Sequence, residues 1–252
     1  VYEYRGRGYI DFRQVFFPAA FSFERPMKTP LLAILPLAVV SVLSLTTSNA
    51  AFAQDVKPGD PAAAQSKIAM CIGCHGIVGY QASFPEIHRV PMISGQNAKY
   101  IESALLAYKK GDRKHPTMRG IATSLSDQDI ADLAAYYAQH GKDLPGSPAK
   151  SQSNAAEAEA LLKKGACASC HGEGLNKPID PSYPKLAGQH GDYLLVALKS
   201  YQNTPNNVIG RGNPIMAGQV QQFSAAELKV MAKYIGNLSG DLKTVPQSPL
   251  KK

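Results

Sequence analysis

The chain has 252 residues, with 27 Lys+Arg against 19 Asp+Glu, 44% hydrophobic and 8% aromatic residues, four Cys and no Trp. That balance is globular and excludes a collagenous, coiled-coil or wholly disordered chain. The positive charges are spread along both halves, without an Arg-rich helix or a ribonucleoprotein-like aromatic run, so nucleic acid is excluded as a partner class.

In chain order, the first feature is Met27-Lys28 followed by an apolar stretch from Leu31 to Leu45 and then Ala51-Phe52-Ala53. The stretch is short for a membrane span and carries Pro. With the A-x-A triplet behind it, it predicts a signal peptide over residues 27–53, cleaved before Gln54, with an uncleaved anchor as the weaker alternative. Residues 1–26 lie upstream of that Met and read as a mis-set translation start, with an extended n-region as the weaker alternative. Removing residues 1–53 leaves 22 Lys+Arg against 16 Asp+Glu, a net charge of +6, and no second long apolar run. An exported, soluble protein is expected, resting on a membrane surface at most.

From there the chain repeats itself. The first half runs Cys71-Ile-Gly-Cys74-His75-Gly76, Pro91-Met-Ile-Ser-Gly95-Gln96, Tyr100, Tyr108 and Met118; the second runs Cys167-Ala-Ser-Cys170-His171-Gly172, Pro184-Lys-Leu-Ala-Gly188-Gln189, Tyr193, Tyr201 and Met216. Ahead of each Cys motif a helix is predicted, over Pro61–Met70 behind the cap candidate Asp60 and over Ala155–Lys164 behind Asn154 with Glu157. Middle helices are expected over Ala98–Lys110, ended by Gly111, and over Asp192–Gln202, ended before Pro205. Ser126-Asp-Gln-Asp129 and Ser224-Ala-Ala-Glu227 open final helices whose apolar residues recur at i, i+3, i+4 and i+7. Nothing alternates at period two, so the fold class is all-α, with long loops. Lys142 to Ser153, rich in Pro, Gly and Ser, joins the halves, giving domains over 54–145 and 154–252 with residues 146–153 between them. About 100 residues with three short helices bury little core, so something large and apolar must fill each half.

Every Cys falls in a Cys-x-x-Cys pair followed at once by His. With 6 His in the chain, two such placements by chance have a probability of roughly one in two thousand if the pattern is read as c-type haem attachment. Two thiols at that spacing add across the vinyl groups on one porphyrin edge, and the adjacent His is then held against the iron. Two disulfides, a thioredoxin-like pair and a zinc site are the competing readings. The thioredoxin-like site wants a βαβ context, and a zinc ribbon leaves the paired His unexplained.

The other face of each iron needs a ligand, and Met118 and Met216 stand in matched places, each just ahead of the final helix. They are expected to pair with His75 and His171 as axial ligands, whereas Met70, Met92 and Met231 are read as packing. The carbonyls of Pro91 and Pro184 are candidates to accept the Nδ1 proton of these His, with a purely rigidifying role as the alternative. The four matched Tyr are expected in the core. His88, His115, His140 and His190 have no counterpart between halves and are read as surface residues, His115 being a reserve ligand if Met118 is lost. Asn237-Leu-Ser239 matches a glycosylation acceptor too common to carry weight.

On these motifs the chain resembles the di-haem cytochromes of the c4 type, two class I cytochrome c domains in tandem, from about Pro58 to Leu238, and more loosely the single-domain cytochromes c553. The resemblance implies two covalent haem c groups and periplasmic electron carriage in a Gram-negative bacterium, from a donor such as a bc1-type complex towards a terminal oxidase. It also implies approximate twofold symmetry. The insert Gln81–Val90 and a longer second Gln-to-Met loop depart from that symmetry, so two haems of unequal potential are expected. The competing functions are a di-haem peroxidase, which needs a releasable ligand and an acid/base group, and the haem subunit of a larger complex. Lys109-Lys110-Gly-Asp-Arg113-Lys114 is a candidate steering patch for an acidic partner, with an ordinary solvated charge run slightly preferred.

Overall fold

The computed structural model describes residues 56–203 and 208–246. The predicted signal peptide, the upstream segment and Asn206-Asn207 of the second loop lie outside these residues.

The first half folds as a 3-10 turn, Ala63–Ser66, and α1, Ala69–His75. A hairpin of two-residue strands follows, β1, Gln81–Ala82, and β2, His88–Arg89, then α2, Ala98–Lys110, β3, Arg113–Lys114, α3, Pro116–Thr123, and α4, Asp127–Gln139. The second half gives α5, Ala155–Lys164, α6, Ala168–His171, a 3-10 turn Glu173–Leu175, α7, Gly191–Gln202, β4, Gly210–Arg211, α8, Pro214–Val220, and α9, Ala225–Gly236. In each lobe the middle helix packs on the final one, α2 on α4 and α7 on α9.

The final helices form where the caps dictate. Ser126 and Ser224 each accept from the backbone N–H three residues on, while Asp129 and Glu227 bond back to the cap backbone. Each box ties down two amides that a free helix end leaves unpaired. Behind the caps, Ile130, Leu133, Ala134 and Tyr137 are 0–3% exposed, and Leu228, Met231, Ala232 and Ile235 are equally buried. A buried Leu of this kind contributes about 1.5–3 kcal/mol.

Three local expectations change. The predicted helix Pro61–Met70 is broken, because Asp60 Oδ1 accepts from Ala62 N only two residues on, and the next bonds are i→i+3 until Ile68. Asn154 does not cap α5 with its side chain, which instead reaches the Glu157 carboxylate. The helices α3 and α8, which carry Met118 and Met216, were not foreseen. Their signal is His115-Pro116 and Asn213-Pro214, a cap followed by Pro at the first helical position. Each cap side chain accepts from the backbone N–H of the Met itself.

The two lobes meet along matched surfaces. β3 pairs with β4 antiparallel, Arg113 opposite Arg211 and Lys114 opposite Gly210. The hairpin insert of the first lobe reaches α7: Arg89 donates through N and Nε to Asp192 Oδ2, and Glu86 pairs with Lys199. The segment joining the lobes is docked, Ser147 exchanging two backbone bonds with Gly240 and Lys150 N donating to Asn237 O. Beyond α9 the chain crosses back to the first lobe, where Lys243 N donates to Ser94 O.

Candidate haem sites

Two cavities lie on either side of the lobe interface, one of about 390 Å³ walled mainly by the first lobe and one of about 350 Å³ walled mainly by the second. Both are within the range of enclosed cofactor sites. Cys71, Cys74, His75, Pro91 and Met118 line the first, and Cys167, Cys170, His171, Pro184 and Met216 line the second. All ten predicted site residues are thus gathered in two matched sets. On α1 the thiols and imidazole fall at i, i+3 and i+4, the one helical face on which they point the same way.

The imidazoles are held by their outer nitrogens. His75 Nδ1 lies 2.7 Å from Pro91 O and His171 Nδ1 3.0 Å from Pro184 O. A carbonyl only accepts, so Nδ1 carries the proton in both rings and Nε2 keeps its lone pair, the tautomer a metal ligand requires. Burial lowers the pKa of both rings, opposed by these carbonyl bonds, so they stay neutral.

The loops bearing those carbonyls are pinned to the final helices. Gly95 N donates to Tyr137 O and Gly188 N to Ile235 O. Both glycines have positive φ, 84° and 77°, and a Cβ on Gly95 would meet Asp241 O at 2.8 Å. Only glycine lets the backbone approach that closely in that conformation.

Burial pushes the Cys71 thiol up to about 11 and raises Cys167 as well, so neither is the reactive thiolate of a thioredoxin-like site. Among the described residues no group of three or more His, Cys, Asp or Glu is placed to hold a metal ion by itself, and none of the four Cys is joined in a disulfide.

Two residues that sequence reading missed complete the sites. Arg113 and Arg211 are buried or nearly so, with guanidiniums between tyrosine rings: Arg113 is 5.8 Å from the Tyr100 centroid and 4.9 Å from Tyr108, and Arg211 is 5.6 Å from Tyr193 and 5.3 Å from Tyr201. Their Nη2 atoms donate to Tyr100 and Tyr193 hydroxyls, yet Arg113 Nε has no partner. No carboxylate pairs with either among the described residues. Burial alone would raise the Tyr193 phenol, but Arg211 and Arg113 outweigh it and bring it down to about 8, while burial takes Tyr100 up to about 12. Arg113 and Tyr100 border both cavities. Buried cations without carboxylates beside a cavity fit a group that brings its own, as haem does with two propionates. The signal was an Arg five residues before each Met.

Other expectations are corrected. His88 is buried, with Nδ1 on Glu86 O and its ring against Tyr193. His115 caps α3, His140 bonds Ser94 Oγ at 2.8 Å, and His190 is half-buried, so none of the four is an ordinary surface residue. Met92 and Met231 pack in the core, but Met70 is 37% exposed and edges the first cavity. In the supposed steering patch Arg113 is buried and Lys109 is paired with Asp127 and Leu125 O.

Two helical lobes, each presenting a Cys-x-x-Cys-His motif to an apolar cavity with a Met on its wall, define a tandem c-type haem protein. The family model described as Cytochrome c matches residues 62–140 and 155–239. The chain is 31% identical over 196 residues to cytochrome c4 of Thiocapsa roseopersicina, covering 72% of this chain and 94% of that one. It is 30% identical over 222 residues to the thiosulfate dehydrogenase electron acceptor of Thiomonas intermedia, covering 83% and 93%. The crystal structure of reduced recombinant cytochrome c4 from Pseudomonas stutzeri superimposes with TM-score 0.55 at 31% identity, covering 71% of this chain and 99% of that one. The chain belongs to the cytochrome c family and is a di-haem electron carrier of the c4 type, with two covalent haem c groups at Cys71/Cys74 and Cys167/Cys170.

Proposed function

We propose that this chain is a periplasmic carrier, moving electrons singly between respiratory complexes, from a bc1-type donor towards a terminal oxidase, and that it is not itself an enzyme. The observation that carries this reading is the matched pair of cavities, each of which brings together a Cys-x-x-Cys pair, an imidazole whose Nδ1 is held by a proline carbonyl and whose Nε2 is free, and the Met of the short helix that follows, Met118 in the first and Met216 in the second. We assign His75 with Met118 and His171 with Met216 as axial ligands, Pro91 and Pro184 as the acceptors that orient the two His, and the domains as 54–145 and 154–252 about the linker 146–153.

Each haem supplies a one-electron iron couple, which Met ligation sets at positive potential. The protein's part is positional. Pro91 and Pro184 hold the Nδ1 protons, so that neither imidazole turns or changes tautomer between oxidation states. The caps at His115 and Asn213 fix the backbone N–H groups of Met118 and Met216. The buried Arg113 and Arg211 would neutralise cofactor carboxylates between the lobes, and the apolar walls exclude water.

A second donor class is favoured by one observation. The relative in Thiomonas intermedia is an electron acceptor for thiosulfate dehydrogenase and aligns over 83% of this chain. A dehydrogenase is therefore the alternative source of electrons.

The test is an anaerobic potentiometric titration of the exported protein, followed optically and with a haem count on the same sample. Two low-spin haems per chain, both reversible at positive potential and inert to peroxide, are expected. A high-spin or low-potential haem that reacts with peroxide would replace the carrier reading with a peroxidase.

A further inference from the structure

The glutamines that end the two Pro-x-x-x-Gly-Gln segments exchange partners across the lobe interface. Gln189 of the second lobe accepts from Met92 N at 3.0 Å and donates to Met92 O at 2.9 Å. Gln96 of the first lobe accepts from Lys185 N at 2.9 Å and donates to Lys185 O at 3.0 Å. Both glutamines are 4% exposed. Such buried amides satisfying one residue's N–H and C=O in the opposite lobe are expensive to remove.

The residues they hold are adjacent to the two prolines. Met92 N–H and Pro91 C=O are the two ends of one peptide unit, and Lys185 N–H and Pro184 C=O are the two ends of another. Each unit accepts at its oxygen from the axial imidazole of its own lobe and donates at its nitrogen to the glutamine of the other lobe. The peptide is a conjugated, planar dipole, so a bond accepted from its N–H moves density onto its oxygen and strengthens the bond there. A stronger acceptor at Nδ1 makes the imidazole a better donor at Nε2.

We infer that Gln189 and Gln96 are cross-lobe positioning residues, each tuning through one peptide unit the axial His, and hence the reduction potential, of the haem in the opposite lobe. The inference rests on the assignment of His75 and His171 as axial ligands. Its signature is crossed: a change in the second lobe moves the first haem. Its sign is also set. Without the glutamine acceptor the Pro91 carbonyl accepts less strongly, His75 donates less to iron, the ferric state loses support, and the potential of the first haem rises. Loosening the interface does the reverse, because water stabilises the more highly charged oxidised centre and lowers the potential of whichever haem it reaches.

The experiment compares Gln189→Met and Gln96→Met with wild type in the full di-haem chain, by spectroelectrochemical titration with the haems told apart by paramagnetic NMR. The same NMR samples carry 15N-labelled His. Gln189→Met is expected to raise the first haem's potential, shifting its reduction equilibrium about threefold, on the scale of one weakened hydrogen bond, and to leave the second unmoved. Gln96→Met is expected to give the mirror image and to carry the test alone if Gln189→Met fails to assemble. A shift in the haem of the substituted lobe, equal shifts in both, a downward shift or no shift would overturn the relay while the labelled rings still show His75 and His171 on iron. If the wild-type rings show no iron contact, the ligand assignment has failed instead, and the relay falls with it.

Discussion

At the scale of single residues, the function reduces to which atoms are left with a free lone pair inside an apolar cavity. His75 spends its Nδ1 proton on Pro91 O, and Met118 is brought to the same cavity by a helix that starts two residues before it. Met118→Leu keeps the volume and removes the sulfur, so the first haem should lose the potential that Met ligation confers while the second keeps its own. His115, three residues earlier, lines the same cavity but already accepts from Met118 N. The first haem of this variant should accordingly turn high-spin. An electron paramagnetic resonance spectrum that stayed low-spin would show another side chain of the cavity taking the vacant place, and its loss on adding His115→Ala would name His115. The proposed ligands are picked out in the sequence because duplication singles out one Met in each half, and both fall on cavity walls. Arg113 and Arg211 were not, because a lone Arg gives no sign of burial until its tyrosine neighbours close around it.

At the scale of elements, the helices legible in advance were those that carry both a cap and an apolar stripe, such as α4 and α9. Those missed, α3 and α8, are eight and seven residues long, too short for an apolar stripe to repeat over a second pair of turns. A helix that short is marginal by itself and exists because cap, Pro and tertiary packing agree. The caps therefore differ in what they serve. Ser224→Ala removes the capping box of α9 and should cost about 1 kcal/mol in urea denaturation with both potentials unchanged. Asn213→Ala should cost a similar amount and also shift the second haem's potential, because the amide it releases is that of Met216, 3.0 Å from Asn213 Oδ1. Equal potentials in the two variants would show that the α8 cap has no part in holding the sulfur. The hairpin insert was visible only as an asymmetry. Its purpose emerges from Arg89 and Glu86, which reach α7 residues more than a hundred positions away.

At the scale of the whole molecule, the pairing of lobes was implied by the repeat, but the partners that join them were not, because contacts across a pseudo-twofold leave no periodicity in a single chain. The interface is polar and in part ionic, and its acid stability follows from one group with a strongly moved pKa. Burial, then the positive charge of Arg89, lowers His190 to about 4, with Lys150 acting the same way and Asp192 opposing. The sign follows from linkage. The unfolded chain takes up the proton near pH 6.5 and the folded one only near 4, so the contribution of neutral His190 is fully present above pH 6.5 and is lost as pH falls towards 4. For a half-buried group this amounts to about 1–2 kcal/mol once solvent screening is allowed for. Arg89 and Asp192 form the adjacent pair at 2.8 Å, and the Asp192 carboxyl, lowered by Arg89 and backbone bonds against its burial, stays ionised through that window. His190→Gln keeps the backbone and the size of the side chain and removes the titration. Urea midpoints of the wild type and this variant, measured at pH 7, 5.5 and 4.5, should converge as the pH falls, with the shallower decline in the variant. His115 and His140 are also lowered by burial, so part of the decline should persist in His190→Gln. Parallel curves would mean that His190 takes its proton in the folded chain as readily as in the unfolded one, and that its burial beside Arg89 contributes nothing to acid stability.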